Sequence, residues 1–294
     1  QSGLNVQLPG AATPTPSSAN LVLEFGGKGS GAGLMDDPRY VAIDPDGNIF
    51  VGDYADGRVQ KFDPTGKFLL LINVPPDNND NLYITGMAAD YKGNLYLTRG
   101  GDILKYNAAD GQLLTTFKGH FPDTSYDGLA VDATNTLYAL HTTASDNDLI
   151  TLSPDGKVLN RWNKIVTGVN KKDPGMQLQV APDGVGNLYI SSGFGNVVYV
   201  FDKNGKYVNR FGQEGHDPGQ MSNPGQIAVD GQNRVYVHNF GAIDRFDTSG
   251  RFLDRLPTDY TKGSPMGFTL DLKGSLYVVT NNGKVLKYQL KGAG

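Results

Sequence analysis

One aspartate recurs six times at nearly even spacing, and that recurrence decides what the chain can fold into. Asp44, Asp90, Asp132, Asp183, Asp230 and Asp271 follow one another at intervals of 46, 42, 51, 47 and 41 residues. Four residues after each, a second segment begins at Asn48, Asn94, Thr136, Asn187, Arg234 and Ser275. Two residues further on stands an aromatic: Phe50, Tyr96, Tyr138, Tyr189, Tyr236 or Tyr277. A third segment ends on Phe62, Tyr106, Leu152, Phe201, Phe246 or Tyr288, and a turn glycine follows at Gly66, Gly111, Gly156, Gly205, Gly250 and Gly292. Asp, Pro, Asn and Gly punctuate these segments because they reach turn dihedrals at low cost. Between the turns the residues are β-branched, aromatic or aliphatic and partly alternate in polarity, which is the pattern of short strands. One unit, such as Pro38 to Ile72, is a four-stranded meander with open edges and is marginal alone. Six units with a period in the forties predict an all-β chain folded as a six-bladed β-propeller. The aromatic at its fixed position is expected in the core between neighbouring sheets.

The sixth copy has three strands, and residues 20–25 (NLVLEF) form a strand with no copy of its own. Leu21, Leu23 and Phe25 are therefore expected to pair beside Val285 to Leu290 and close the ring, which removes both open edges. The propeller then occupies residues 20–294. Residues 1–19 are uncharged and rich in Pro, Thr, Ser, Ala and Gly. Such a segment cannot bury enough apolar surface to offset its ordering, so it reads as a linker, a stalk or a trimmed end. A stalk points to an extracytoplasmic or secreted protein. The longest insertion, residues 163–176, carries Lys164, Lys171 and Lys172 and is either a solvated loop or a partner-binding one.

The composition excludes several classes. With no cysteine there is no disulfide and no thiolate metal or redox site. A net charge of −4 without a basic run argues against nucleic acid. No apolar run approaches the roughly 20 residues of a membrane span. The glycine run at 25–33 (FGGKGSGAG) lacks the Lys-Ser/Thr ending and the helix of a phosphate loop. It matches FGQEGHDPG at 211–219, and both read as approaches from one outer strand to the next inner strand. No GxSxG element is present, and Asp44 and its equivalents are turn formers.

Residues 24–44 match residues 210–230 position for position, and DPDGNIFVGDYADGRVQKFD follows the first of them. This stretch resembles the NHL repeat, with its glycine-rich approach, its "xPxxVAVD" inner strand, its "GNIYVAD" second strand and its "RIQxFD" third strand. The resemblance covers residues 20–292, although the second, third and sixth copies lack the glycine-rich approach. It implies a six-bladed propeller of a family that includes sensor domains of bacterial receptor kinases and RNA- or protein-binding domains of animal ubiquitin ligases. It also includes an amidating lyase that binds zinc through histidines, and related six-bladed lactonases hold calcium in the channel.

Candidate ligand-binding residues lie where the second strands end. One ring is Asp53, Arg99, His141, Ser192, Asn239 and Thr280; the next includes Tyr54 and Phe240. Both vary from copy to copy while the scaffold does not, as a binding surface would. Channel candidates on the inner strands are Arg39, Tyr40, Thr85, Asp127, Gln179, Gln226 and Met266. Four histidines occur, His120, His141, His216 and His238. His141 and His238, with Asp127 or Asp53, are the available ligands for a single zinc or calcium ion. The balance of these features favours a non-catalytic sensor or scaffold that needs no cofactor. It would present one face to a protein, peptide or glycan, alone or within a larger assembly. The alternative is a metal-dependent lyase or lactonase working in the central channel.

Overall fold

The computed structural model describes residues 18–54, 56–77, 80, 82–119, 126–142, 146–257 and 259–291. The expected tether up to residue 17, His120 and Gly292 lie outside them. Blade 1 is β2 (Pro38–Ile43), β3 (Ile49–Asp53), β4 (Arg58–Phe62) and β5 (Phe68–Asn73), preceded by a strand β1 (Ala19–Gly26). Blade 2 is β6 (Ile84–Ala89), β7 (Asn94–Arg99), β8 (Asp102–Asn107) and β9 (Leu113–Phe117). Blade 3 is β10 (Leu129–Val131), β11 (Leu137–Thr142), β12 (Asn147–Leu152) and β13 (Val158–Trp162). Blade 4 is β14 (Leu178–Pro182), β15 (Leu188–Ser192), β16 (Val197–Phe201) and β17 (Tyr207–Phe211). Blade 5 is β18 (Ile227–Val229), β19 (Val235–Asn239), β20 (Ala242–Phe246) and β21 (Phe252–Arg255). Blade 6 is β22 (Pro265–Leu270), β23 (Ser275–Thr280) and β24 (Lys284–Leu290), with β1 as its outer strand. The closure has the expected register: Leu21 faces Tyr288, Leu23 faces Lys287 and Phe25 faces Val285.

Local hydrogen bonds explain the recurring residues. Asp44 Oδ1 accepts from the amides of Asp46 (3.0 Å) and Asn48 (2.9 Å), and Oδ2 accepts from Asn48 Nδ2 (2.7 Å). The same cage forms at Asp90, where Oδ2 also takes the Tyr96 hydroxyl at 3.0 Å. At Asp230 the arginine that replaces asparagine does the work, with Arg234 Nε 2.6 Å from Oδ2. Each aspartate therefore locks the first turn and, through its second oxygen, the start of the second strand.

The core is divided into six layers, one in each gap between blades. Phe50 and Val59 of blade 1 pack on Leu95, Leu97 and Tyr106 of blade 2, and Tyr277 and Val285 of blade 6 pack on Val41 and Phe62 of blade 1. Every aromatic of the repeat is buried in such a layer, and each is worth about 1.5–3 kcal/mol of burial. The glycines after the third strands fit the outer edge of these gaps. At Gly156 (φ +86°) an added Cβ would lie 2.4 Å from the ring of Phe117 in the preceding blade. At Gly205 (φ +76°) it would lie 2.1 Å from Trp162, whose Nε1 donates to Asn204 O at 2.9 Å.

Candidate functional site

A channel of about 380 Å³ runs along the inner strands. Val41, Ala42, Met87, Ala88, Ala130, Val180, Ala181, Ala228 and Phe268 supply apolar lining, and polar groups make up about half of the surface. At one end lie the turn aspartates Asp132, Asp183, Asp230 and Asp271, whose oxygens are engaged in their own turns. At the other end stand Tyr40, Gln179 and Gln226. These three occupy the position four residues before the aspartate, where the remaining blades carry Gly86, Gly128 and Gly267.

The residue one place earlier takes a different course. Pro38 pairs with Asp53 and Tyr40 with Gly52, so Arg39 sits in a bulge, and the same irregularity places Thr85 and Met266. A bulge re-aims the extra side chain. Arg39 accordingly turns away from the channel wall to cover Tyr54, with its Cζ 3.8 Å from the ring centroid. Its Nη2 pairs with Asp37 Oδ2 at 2.9 Å. Tyr54 in turn stacks on Tyr83, centroids 5.0 Å apart and planes at 21°. Asp127 holds the equivalent place in blade 3. Burial pushes the Tyr40 phenol well above its ordinary 10.0; Arg39 pulls it down, and Tyr54, Asp127 and Asp37 push it further up. Arg39, Tyr40, Tyr54 and Asp127 thus share one electrostatic neighbourhood at this mouth.

Gln226 and His238 serve neighbouring blades. Gln226 Oε1 accepts from the amide of Phe268 in blade 6 (2.6 Å), and its Nε2 donates to Arg39 O in blade 1 (3.2 Å). The side chain therefore crosses blade 6 where Gly267 leaves room; a Cβ there would be 2.0 Å from Arg39 O. His238 Nε2 lies 3.1 Å from Pro265 O of blade 6. A carbonyl only accepts, so this nitrogen carries the proton. Burial lowers the His238 pKa below 6.5. Ser191 and Thr98 make the same kind of link, to Gly225 O (2.6 Å) and Asp127 O (2.8 Å).

The second-strand ends hold loops. Asp53 accepts from the amides of Asp36 (3.1 Å) and Asp37 (2.7 Å) and from Arg58 Nε (2.9 Å) and Nη2 (2.6 Å). Asn239 accepts from Ser222 N (2.8 Å) and donates to Gln220 O (2.9 Å) and Asp244 Oδ2 (2.7 Å). Ser192 Oγ donates to Asp173 (3.0 Å) and Thr280 Oγ1 to Lys262 O (2.9 Å). Arg99 is buried near Tyr106, whose phenol burial pushes up to about 12 against the pull of Arg99. His141 is buried too, opposite Asp148 in the ladder, and one strand position out of register with His238. Phe240 is 72% exposed, its ring 5.1 Å from that of His216. The insertion at 163–176 folds inward: Ile165 and Val166 join the layer between blades 3 and 4, and Asp173 takes the Tyr199 hydroxyl at 2.8 Å. Sequence reasoning missed Asp37 and Tyr83, which stand seven residues before Asp44 and Asp90, at a position whose residue type changes from copy to copy.

Among the described residues no three His, Asp or Glu side chains gather as a metal would require. His238 Nε2 donates to Pro265 O, and Asp53 is filled by Arg58 and two amides. No helix among them is long and apolar enough to cross a membrane.

Six closed blades around a central channel define the molecule as a six-bladed β-propeller. The family described as a 6-bladed beta-propeller (DUF5128) matches residues 184–266. No curated protein matches the chain in sequence. Among solved structures, virginiamycin B lyase from Staphylococcus aureus superposes with TM-score 0.63 at 12% identity, over 87% of this chain and 95% of that one. The gluconolactonase XC5397 from Xanthomonas campestris gives 0.66 at 18% identity, over 87% of each chain. A luciferin-regenerating enzyme gives 0.66 at 13% identity, over 88% and 92%. At such identities the likeness is one of fold. It nevertheless corrects the expectation of a non-catalytic sensor or scaffold, since these whole-length neighbours are enzymes and the lyase or lactonase alternative agrees with them better. The physical basis of the first reading is also weaker, because the varied polar groups of Asp53, Ser192, Asn239 and Thr280 hold the protein's own loops.

Proposed function

We propose that the protein is a catalytic propeller of the lyase or lactonase kind, acting on a cyclic ester at the channel mouth beside Tyr40. The observation that carries this reading is the Tyr40 phenol on the channel wall beside the stack of Arg39 on Tyr54, its Cζ 3.8 Å from the ring centroid, with Asp127 at the matching position of blade 3. A titratable group with a shifted pKa in a concave site, here Tyr40, is a usual mark of a reaction centre. Arg39 is cationic at every working pH and suits the carbonyl oxygen of an ester as negative charge develops there. The Tyr40 phenol keeps its proton throughout the physiological range and serves as a donor to the departing oxygen. Asp127 is the group that takes a proton, from water in a hydrolysis or from carbon in an elimination. No step is routed through a metal.

Two finer readings accompany this one. The repeat is of the NHL type, supported by the paired motifs at 24–44 and 210–230. The site of action is outside the cytoplasm, supported by the uncharged Pro- and Thr-rich segment at 1–19; cell fractionation of the native host checks it.

The catalytic test is turnover of a lactone panel, from gluconolactone to macrocycles such as quinupristin, in water labelled with heavy oxygen. A hydrolase places the label in the product acid; a lyase leaves an unsaturated product without it. Tyr40→Phe and Asp127→Asn should each lower kcat by about a hundredfold while folding is retained. Absence of turnover across the panel, or turnover indifferent to both substitutions, refutes the proposal.

A further inference from the structure

The two glycine-rich approaches have one fold and different contents. Each closes on an isolated parallel bridge, Lys28 to Met35 and Glu214 to Met221. Each is held by the last residue of a second strand, Asp53 or Asn239. In blade 1 the space beneath the loop is filled by Arg58, which pairs with Asp53 and donates to the carbonyls of Gly29 (3.0 Å) and Ser30. Arg58 pairs with Asp53 in the ladder, and its counterpart opposite Asn239 in blade 5 is Ala242, whose methyl group does not cross that space. Asp244, at the position of Gln60, is held by Arg255 through Nε (2.6 Å) and Nη2 (2.9 Å), and by Asn239 Nδ2 (2.7 Å). The space remains as a pocket of about 200 Å³ lined by Gly215, His216, Asn239, Phe240 and Arg255.

What lines the pocket defines its ligand. Gly215 and His216 are the counterparts of Gly29 and Ser30, so the two carbonyls that accept from Arg58 in blade 1 belong here to pocket residues. Nη1 of Arg255 takes no part in the pair with Asp244, and the side chain is 44% exposed. Phe240 is 72% exposed and held at φ +49° beside Gly241 at φ +73°. A two-residue turn of this hand ordinarily takes Asn-Gly, and a bulky residue there is strained. The exposed Phe240 ring lines the pocket, 5.1 Å from the ring of His216.

We infer that this pocket is a saccharide-binding subsite that takes a single pyranose ring. The C–H face of the sugar lies on Phe240, its hydroxyls donate to the carbonyls of Gly215 and His216, and they accept from Arg255. An arginine-like cation would replace Arg58 in kind but would meet Arg255. An aromatic acid would leave the carbonyls unmatched. A hydroxylated ring satisfies both, since each hydroxyl donates and accepts. The inference does not depend on catalysis at the channel.

The test is calorimetric titration of the full chain with methyl glucoside, methyl galactoside and cellobiose, alongside arginine methyl ester and benzoate. Saturable binding of a saccharide is expected, weakened at least about tenfold by Phe240→Gly. The same substitution should raise the thermal midpoint, because glycine adopts this φ without strain. The double change Asn239→Asp and Ala242→Arg rebuilds the blade 1 pair of Asp53 and Arg58, fills the pocket and should abolish binding with the fold intact. The proposal fails if no saccharide binds, if binding survives both variants, or if the arginine ester or benzoate binds in place of the sugars.

Discussion

His238 makes the ring sensitive to acid. Its imidazole lies half-buried between blades 5 and 6 and donates to Pro265 O. In the unfolded chain the ring titrates near 6.5; in the folded protein burial holds the pKa lower. Below about pH 6.5 the unfolded state therefore takes up a proton that the folded state resists. The stabilisation is complete above that pH and declines as the pH falls toward the folded value, by at most about 1.4 kcal/mol per unit. His238→Gln removes the titration while keeping an N–H donor. Urea midpoints measured at several pH values should show the gap between wild type and variant narrowing below pH 6.5. A constant gap would mean that His238 does not titrate differently in the two states.

At the scale of strands and turns, the repeat was legible because its causes are local. The aspartate cage spans at most six residues, and the aromatic follows it at a fixed offset, so one chain displays the rule six times. The mouth was only half legible. Arg39 and Tyr40 are adjacent in sequence, yet the bulge sends one over Tyr54 and leaves the other on the channel wall; nothing in the residue types announces it. Gln226 looked like a channel ligand because it is polar and, like Gln179, sits on an inner strand. Its real surroundings come from two other blades, 42 and 187 residues away in sequence. Gln226→Leu would leave the Phe268 amide and the Arg39 carbonyl without this partner. The expected cost is about 2 kcal/mol, seen as a lower denaturant midpoint and faster hydrogen exchange at Phe268. An unchanged exchange rate would show that the clasp is not formed in solution.

For the whole molecule, what matters is that the layers form a ring. A row of blades would leave one sheet edge and one apolar face open at each end. Here β1 covers the edge of β24, Phe25 packs on Phe62 with centroids 4.8 Å apart, and Glu24 pairs with Lys262 at 2.5 Å. The first strand of the propeller thus belongs to its last blade and also fills the layer toward its first. Two independent links cross the same seam: this strand on the outside and the Gln226 clasp at the channel. If the strand is the main one, a chain beginning at Gly31 should keep its local turns but lose the joint unfolding of all six blades. Calorimetry would then show a broad, low-enthalpy transition where the full chain shows a single sharp one, and protection from exchange would be lost first in β24 and β2. A sharp transition at the same temperature would place the closure in the inner clasp, and combining the truncation with Gln226→Leu would then be needed to open the ring.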